Sequence, residues 1–312
     1  SNKLTVSTSV NIARTDRLTP PTAVGFGSNP SGPSLFANVL YTPRSVDLFG
    51  LPFENPLDNS SVFYRSGNDI QNPLWTLKNI RDTENIRRFF GNFTVAYEIN
   101  DWLNASYRVT LDGYNQRNER QANKGGPQVV GGSYSTNNFE STVWDHTLSL
   151  NFDKNISEKF NLNGTLALNP RREVFDGVGL QSTQQNIYGL MDHSNFEETV
   201  GFNFFQETNI IGLLSSVTLG YDSNLYLTLA GRNDWFSSLP QGNNSIFYPS
   251  AAVSWVPTSA FPEWTDGKFL DFLKIRVGYG SSAGFPNAYS TVVGLNSNTN
   301  VFDSPTGGTT NT

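Results

Sequence analysis

The chain has 312 residues, no cysteine, two histidines and a formal net charge of −6. Disulfides and cysteine-built metal sites are therefore excluded, His146 and His193 are the only imidazoles, and the acidic balance argues against nucleic acid, which needs a basic footprint. Charged residues make up only 15% and aromatics reach 13%, yet no run of about 18 apolar residues is present that could cross a bilayer as a helix.

The opening SNKLTVSTSVNI has neither a basic n-region nor an apolar h-region and already reads as a strand, so a piece of a longer polypeptide is expected. Leu4, Val6, Val10 and Ile12 alternate with Thr5, Ser7, Ser9 and Asn11. Period two of this kind marks a strand with one apolar and one polar face. Residues 13–87 then read as a long loop, and Thr83–Phe90 is the sole helix candidate. Alternation returns over Phe89–Asn100, turns at Asn100-Asp101 and continues over Trp102–Tyr114. A second long loop is expected at 115–138. Strands follow at Glu140–Asp153 and Phe160–Asn169, then a third long loop at 170–210. Within it Asn195–Gln206 is strand-like, with Phe196, Val200, Phe202 and Phe204 on alternate positions, and reads as a strand extension or hairpin outside the membrane. Four more strands are Ile211–Asp222, Leu225–Asn233, Phe247–Pro257 and Leu273–Ser281.

The fold class is thus all-β, with about nine strands. A soluble sandwich alternates too, but its loops should be short at both ends. Here long and short connections largely alternate, the pattern of an antiparallel transmembrane β-barrel with long extracellular loops. A strand of about ten residues, tilted, gives about 25 Å of height, which matches an outer-membrane apolar band. Trp102, Phe160, Trp235 and Trp255 sit near strand ends, where a membrane girdle belongs. A soluble β-sandwich acting as a glycan-binding module stays open as the alternative on these residues, as does a structural barrel serving as scaffold in an envelope complex.

Two stretches go beyond periodicity. Tyr221–Phe261 contains Arg232-Asn233-Asp234-Trp235 and Phe247-Tyr248-Pro249-Ser250; Leu270–Tyr279 contains Leu273-Lys274-Ile275-Arg276. Tyr41-Thr42-Pro43-Arg44, Arg88-Phe89-Phe90-Gly91-Asn92 and Asp101-Trp102-Leu103 add weaker matches. Together these resemble the SusC/RagA family of TonB-linked outer-membrane transporters. The resemblance implies that 1–312 is a mid-barrel part of a transporter with a separate plug domain and a barrel of about 22 strands. It also implies import of oligosaccharides or peptides, a SusD-like surface lipoprotein partner and energy from a TonB-ExbB-ExbD complex acting through an N-terminal region. The location it implies is the outer membrane of a Gram-negative, Bacteroidota-like bacterium.

Enzyme motifs are absent: there is no HExxH, GxSxG or P-loop, and Asp145 and His146 are adjacent on a strand, facing opposite sides. No catalytic residue, metal or cofactor is expected. Loops rich in amides and aromatics suit carbohydrate or peptide, because rings stack on apolar ligand surfaces while amides donate and accept. Candidate ligand-facing residues are Trp75, Asn115, Gln116, Tyr134, Asn137, Asn138, Trp235 and Asn243. Arg108, Asp112, Arg232, Asp234 and Arg276 project from polar faces toward a lumen, where the arginines are expected to pair with Asp112, Asp234 and residues of the plug that the resemblance implies, rather than bind substrate. His146 reads as a packing residue at the lipid interface and His193 as a solvated loop residue.

Overall fold

Among the described residues, nine strands form one antiparallel sheet in which every strand pairs only with its neighbours in sequence. They are β1 (Leu4–Thr19), β2 (Ile80–Asn100), β3 (Leu103–Ala122), β4 (Ser133–Asn155), β5 (Phe160–Gln185), β6 (Phe196–Tyr221), β7 (Leu225–Phe236), β8 (Ser245–Trp255) and β9 (Ile275–Gly280). The short helices α1 (Leu35–Tyr41), α2 (Pro73–Asn79) and α3 (Pro257–Ala260) lie in connections. This computed structural model describes residues 3–20, 35–64, 70–240, 242–264 and 271–284.

The register carries each side-chain row straight across the sheet. Val6 faces Val95, Val95 faces Tyr107, Tyr107 faces Leu148, Leu148 faces Leu168 and Leu168 faces Leu213. Slipping one strand by one residue would turn its whole apolar set to the other face, so the shared parity fixes the pairing. That apolar face is bare: Ile12 is 82% exposed, Val277 71% and Leu229 54%. Among the described residues no second sheet covers it, and the one buried hydrophobic cluster, Trp75, Ile80 and Ala122, lies at the loop end. A sandwich would bury these side chains, so that alternative is overturned. An apolar face running about ten residues along the strands, with every second side chain on it and no protein against it among the described residues, is the wall of a transmembrane β-barrel segment. Phe160, Tyr221 and Trp255 lie in one cross-strand row at its short-turn border.

The short turns share one end. One of them runs Tyr221–Asn224, where Asn224 N–H donates to the Tyr221 carbonyl (3.1 Å) and both Asp222 and Ser223 hold positive φ, 47° and 54°. Two positive φ values give a hairpin turn whose twist matches that of the strands. The β8–β9 connection, the long one at this end, contains α3.

At the other end the strands outrun the sequence-based expectation. The loops expected at 13–87, 115–138 and 170–210 shrink to 20–79, 123–132 and 186–195, because β1, β3 and β5 continue past the apolar band and β2, β4 and β6 begin before it. Backbone ladder bonds need no apolar face, so polar strands keep pairing in water while losing their alternation signal. Thr83–Phe90 is not helical but lies inside β2, and Asn195–Gln206 is a strand extension, continuous with Ile211–Asp222 in β6.

Candidate functional site: the lumen wall and loop cap

The polar face is built from the complementary parity. Near the short turns it is a ladder of small polar side chains: Ser106 and Ser149 hydroxyls are 2.7 Å apart, Asn151 donates to Asn104 (3.1 Å) and Thr165 donates to Asn151 (2.8 Å). Higher up it carries ion pairs. Arg88 grips Asp112 with two bonds of 2.8 and 2.5 Å, and Arg232 Nε lies 2.8 Å from both oxygens of the buried Asp234. The expected partner of Asp112 was one of the named arginines; the register instead places Arg88 diagonally across from it. Arg108 and Arg276 have no ion pair among the described residues. A cavity of about 650 Å³ lies on this face at the short-turn end, lined by Tyr226, Ser254, Lys274 and Arg276.

Above the ion pairs the polar face turns aromatic. Phe139 and Phe175 stack at 5.9 Å and 8°, and Phe175 meets Phe204 edge-on at 5.7 Å. Phe202 and Phe204 are each nearly half exposed. Gly177 and Gly179 leave room for the rings: a Cβ on Gly177 would stand 2.9 Å from Phe139, one on Gly179 2.4 Å from Phe202. This four-ring platform escaped the sequence reading, although the signal was there. In β6 the apolar parity is even at Phe202 and Phe204 and odd at Ile211, Leu213 and Leu219. Such a phase switch within one strand moves the apolar side chains from the lipid face to the lumen face.

Three loops knit into a cap over the strand ends. Asn72 caps α2 by accepting from Leu74 N–H (2.9 Å), and Pro73 takes the first turn, where its missing N–H costs nothing. This Asn-Pro start was another unread signal. Trp75 is wholly buried and donates Nε1–H to the Asn59 carbonyl (2.8 Å). Asn79 donates to Glu54 (3.3 Å) and accepts from Asn123 (3.1 Å) and Tyr188, joining all three loops. Gln185 donates to Asn123 (3.2 Å) and accepts from Lys124 N–H (3.0 Å). Glu54 also accepts from Lys78 (2.7 Å), which holds the ammonium above its usual range. Burial pushes the Tyr188 phenol up, and donation from Ser194 holds the Asp192 carboxyl down.

The eight loop candidates scatter across this architecture. Gln116 and Asn137 lie on the lumen face; Gln116 donates to Glu84 (3.0 Å) and Asn137 faces Gly179. Asn243 is exposed in the β7–β8 turn. Asn115, Asn138 and Trp235 share the parity of the apolar face, and Trp75 belongs to the cap interior. Tyr134 is buried and packs on His193 (4.4 Å). His193 is not simply solvated: it also bonds Ser182 (2.8 Å) and Thr136 (2.9 Å). His146 lies on the apolar face, bonded to Tyr107 (2.7 Å) and stacked on Trp144.

Residues 29–311 match the family model described as TonB dependent receptor-like, beta-barrel. The chain belongs to that family of TonB-dependent receptor barrels. Its fold is similar to that of the RagAB peptide transporter, with a TM-score of 0.72 at 18% identity over 90% of this chain and 31% of the other. The RagAB peptide importer in its "open-open" state gives 0.72 at 19% identity, covering 89% and 30%, and in its "closed-closed" state 0.71 at 17%, covering 90% and 31%. No curated protein matches the chain in sequence. The resemblance to SusC/RagA transporters is borne out, and this TonB-dependent receptor segment spans under a third of the chains it superposes on.

Proposed function

We propose that this barrel segment forms part of the wall of an outer-membrane importer that takes up oligosaccharides or peptides, with TonB supplying energy through a region outside this chain. The observation that carries the reading is the pairing of a bare apolar belt with a polar, ion-paired face topped by the Phe139–Phe175–Phe204 platform. Rings such as these give a ligand apolar contact, while Gln116 and Asn137 beside them offer amides that donate and accept. No covalent chemistry is required: the ligand binds above the ion pairs and descends when a plug domain moves. The capped loops stand on the extracellular side and meet a SusD-like surface lipoprotein. Peptide is the favoured ligand, because the structural neighbours are named for peptide and because a phenylalanine platform suits apolar side chains.

The test is growth and uptake. Cells lacking the full gene should fail to take up a defined peptide mixture, and restoring the gene should rescue uptake only with TonB intact. Rescue without TonB, or loss confined to glycans, would overturn the energised peptide reading.

A further inference from the structure

The apolar face is not uniform. A groove of about 560 Å³ crosses it near its long-loop border, with Ile12, Phe89, Leu111 and Trp144 as walls and Gly113 as floor. The register explains the notch. Phe89 faces Gly113, which faces Thr142, so a bulky ring stands beside a position with no side chain. At the upper rim Arg14 and Arg87 face each other directly across β1 and β2. Like charges opposed on neighbouring strands destabilise a sheet. Arg14 has Asp16 at 2.8 Å, but the Arg87 side chain has no hydrogen bond or ion pair among the described residues.

We infer that this groove is a lipid site: an acyl chain lies over Gly113 between Phe89 and Trp144, and the phosphate headgroup of an anionic lipid bridges Arg14 and Arg87. Three observations converge. The groove is continuous with the apolar belt, so its occupant comes from the bilayer. Among the described residues no second sheet lies upon this face, so nothing there fills the notch. The guanidinium fork matches phosphate oxygens two at a time, and an anion between the two arginines removes their repulsion. Glu140 on the far wall faces Asn115 and repels phosphate, which places the headgroup on the β1–β2 side. The site belongs to the lipid face, separate from the ligand path, and it rests on the barrel reading but not on the identity of the cargo.

The test uses the full-length transporter in detergent, with lipid A as the anionic probe and phosphatidylcholine as the zwitterionic control, and native mass spectrometry counting retained lipid. Wild type should retain lipid A over phosphatidylcholine. Arg87→Gln should cut that preference by about tenfold, the scale of one charge-assisted hydrogen bond. Gly113→Leu should lower retention of both lipids by filling the notch. A Cβ there meets nothing closer than the Ser141 carbonyl at 3.6 Å, so the side chain fits without moving the backbone. An unchanged thermal transition in each variant confirms that the barrel is folded. Lipid A retention equal to wild type in both variants, or equal retention of the two lipids by wild type, would overturn the site. Peptide uptake does not enter the measurement, so failure of the import reading leaves this result standing.

Discussion

The Phe202 ring comes so close to Gly179 that a Cβ on the glycine would stand 2.4 Å from it. The glycine therefore sets the height of the aromatic platform above the sheet. Gly179→Val should lift Phe202, and Phe202→Ala should remove it, and each should weaken peptide binding to the full-length transporter. For Phe202→Ala the expected loss is about 1 kcal/mol, roughly fivefold in affinity. Calorimetric titration with a peptide the transporter takes up checks both. Affinity unchanged in both variants would remove the platform from the ligand path.

Asp234 is buried while Arg232 is partly open to the lumen, and they share one face two residues apart on β7. Asp234→Ala leaves the guanidinium without its partner and should destabilise the barrel by about 1–3 kcal/mol. Gel-shift melting of the heat-modifiable barrel reads this directly, with Asp234→Asn expected to lie between the two.

The loop cap hangs on Trp75. Trp75→Ala removes a wholly buried ring and its bond to Asn59, at a cost of about 3–5 kcal/mol to the cap. The strands do not depend on it. Limited proteolysis should cut within 53–79 in the variant, while the barrel still melts as in wild type.

The cap should also respond to pH, with opposite signs at the two ends of the scale. Lys78 is held above its usual range by Glu54, and Tyr188 is raised by burial. Groups raised in the folded state contribute stability that is complete below the unfolded value, about 10, and lost as pH climbs through the folded one. Asp192 is held down by Ser194, so its contribution is present above about 4 and lost as pH falls through its folded value. Hydrogen-exchange protection in 54–64, 70–79 and 186–195, corrected for the pH dependence of intrinsic amide exchange, should be greatest between these limits. Protection at pH 11 greater than near neutral pH would refute the account.

Asp222 and Ser223 occupy a turn that wants two left-handed residues. Replacing them by Asn-Gly should stabilise the β6–β7 hairpin by about 0.5–1 kcal/mol, visible as a higher melting temperature.

What the sequence revealed was what lipid imposes. Leu148, Leu150 and Phe152 alternate cleanly because one face meets hydrocarbon and the other water, and all nine strands were legible there. Beyond the belt both faces of β3 meet water or polar neighbours. Asn115, Gln116, Arg117 and Asn118 then carry no alternation, and the strand reads as a loop. The same loss explains the candidate residues. Asn115 and Asn138 were chosen for chemistry, but parity assigns them to the outward face, and parity cannot be read until the strand is known to continue. The platform needed three strands, β4, β5 and β6, in register, which no single segment encodes. Trp75 looked like a ligand stacker because its burial depends on loops far apart in sequence.

The sheet is a plain meander: each hairpin touches only the strand before it and the strand after it. A genetic duplication or deletion of one hairpin would therefore leave every other register intact and change the circumference by two strands. Pore width, which grows roughly linearly with strand number, is thus open to evolutionary adjustment in whole steps, with no rethreading of the chain.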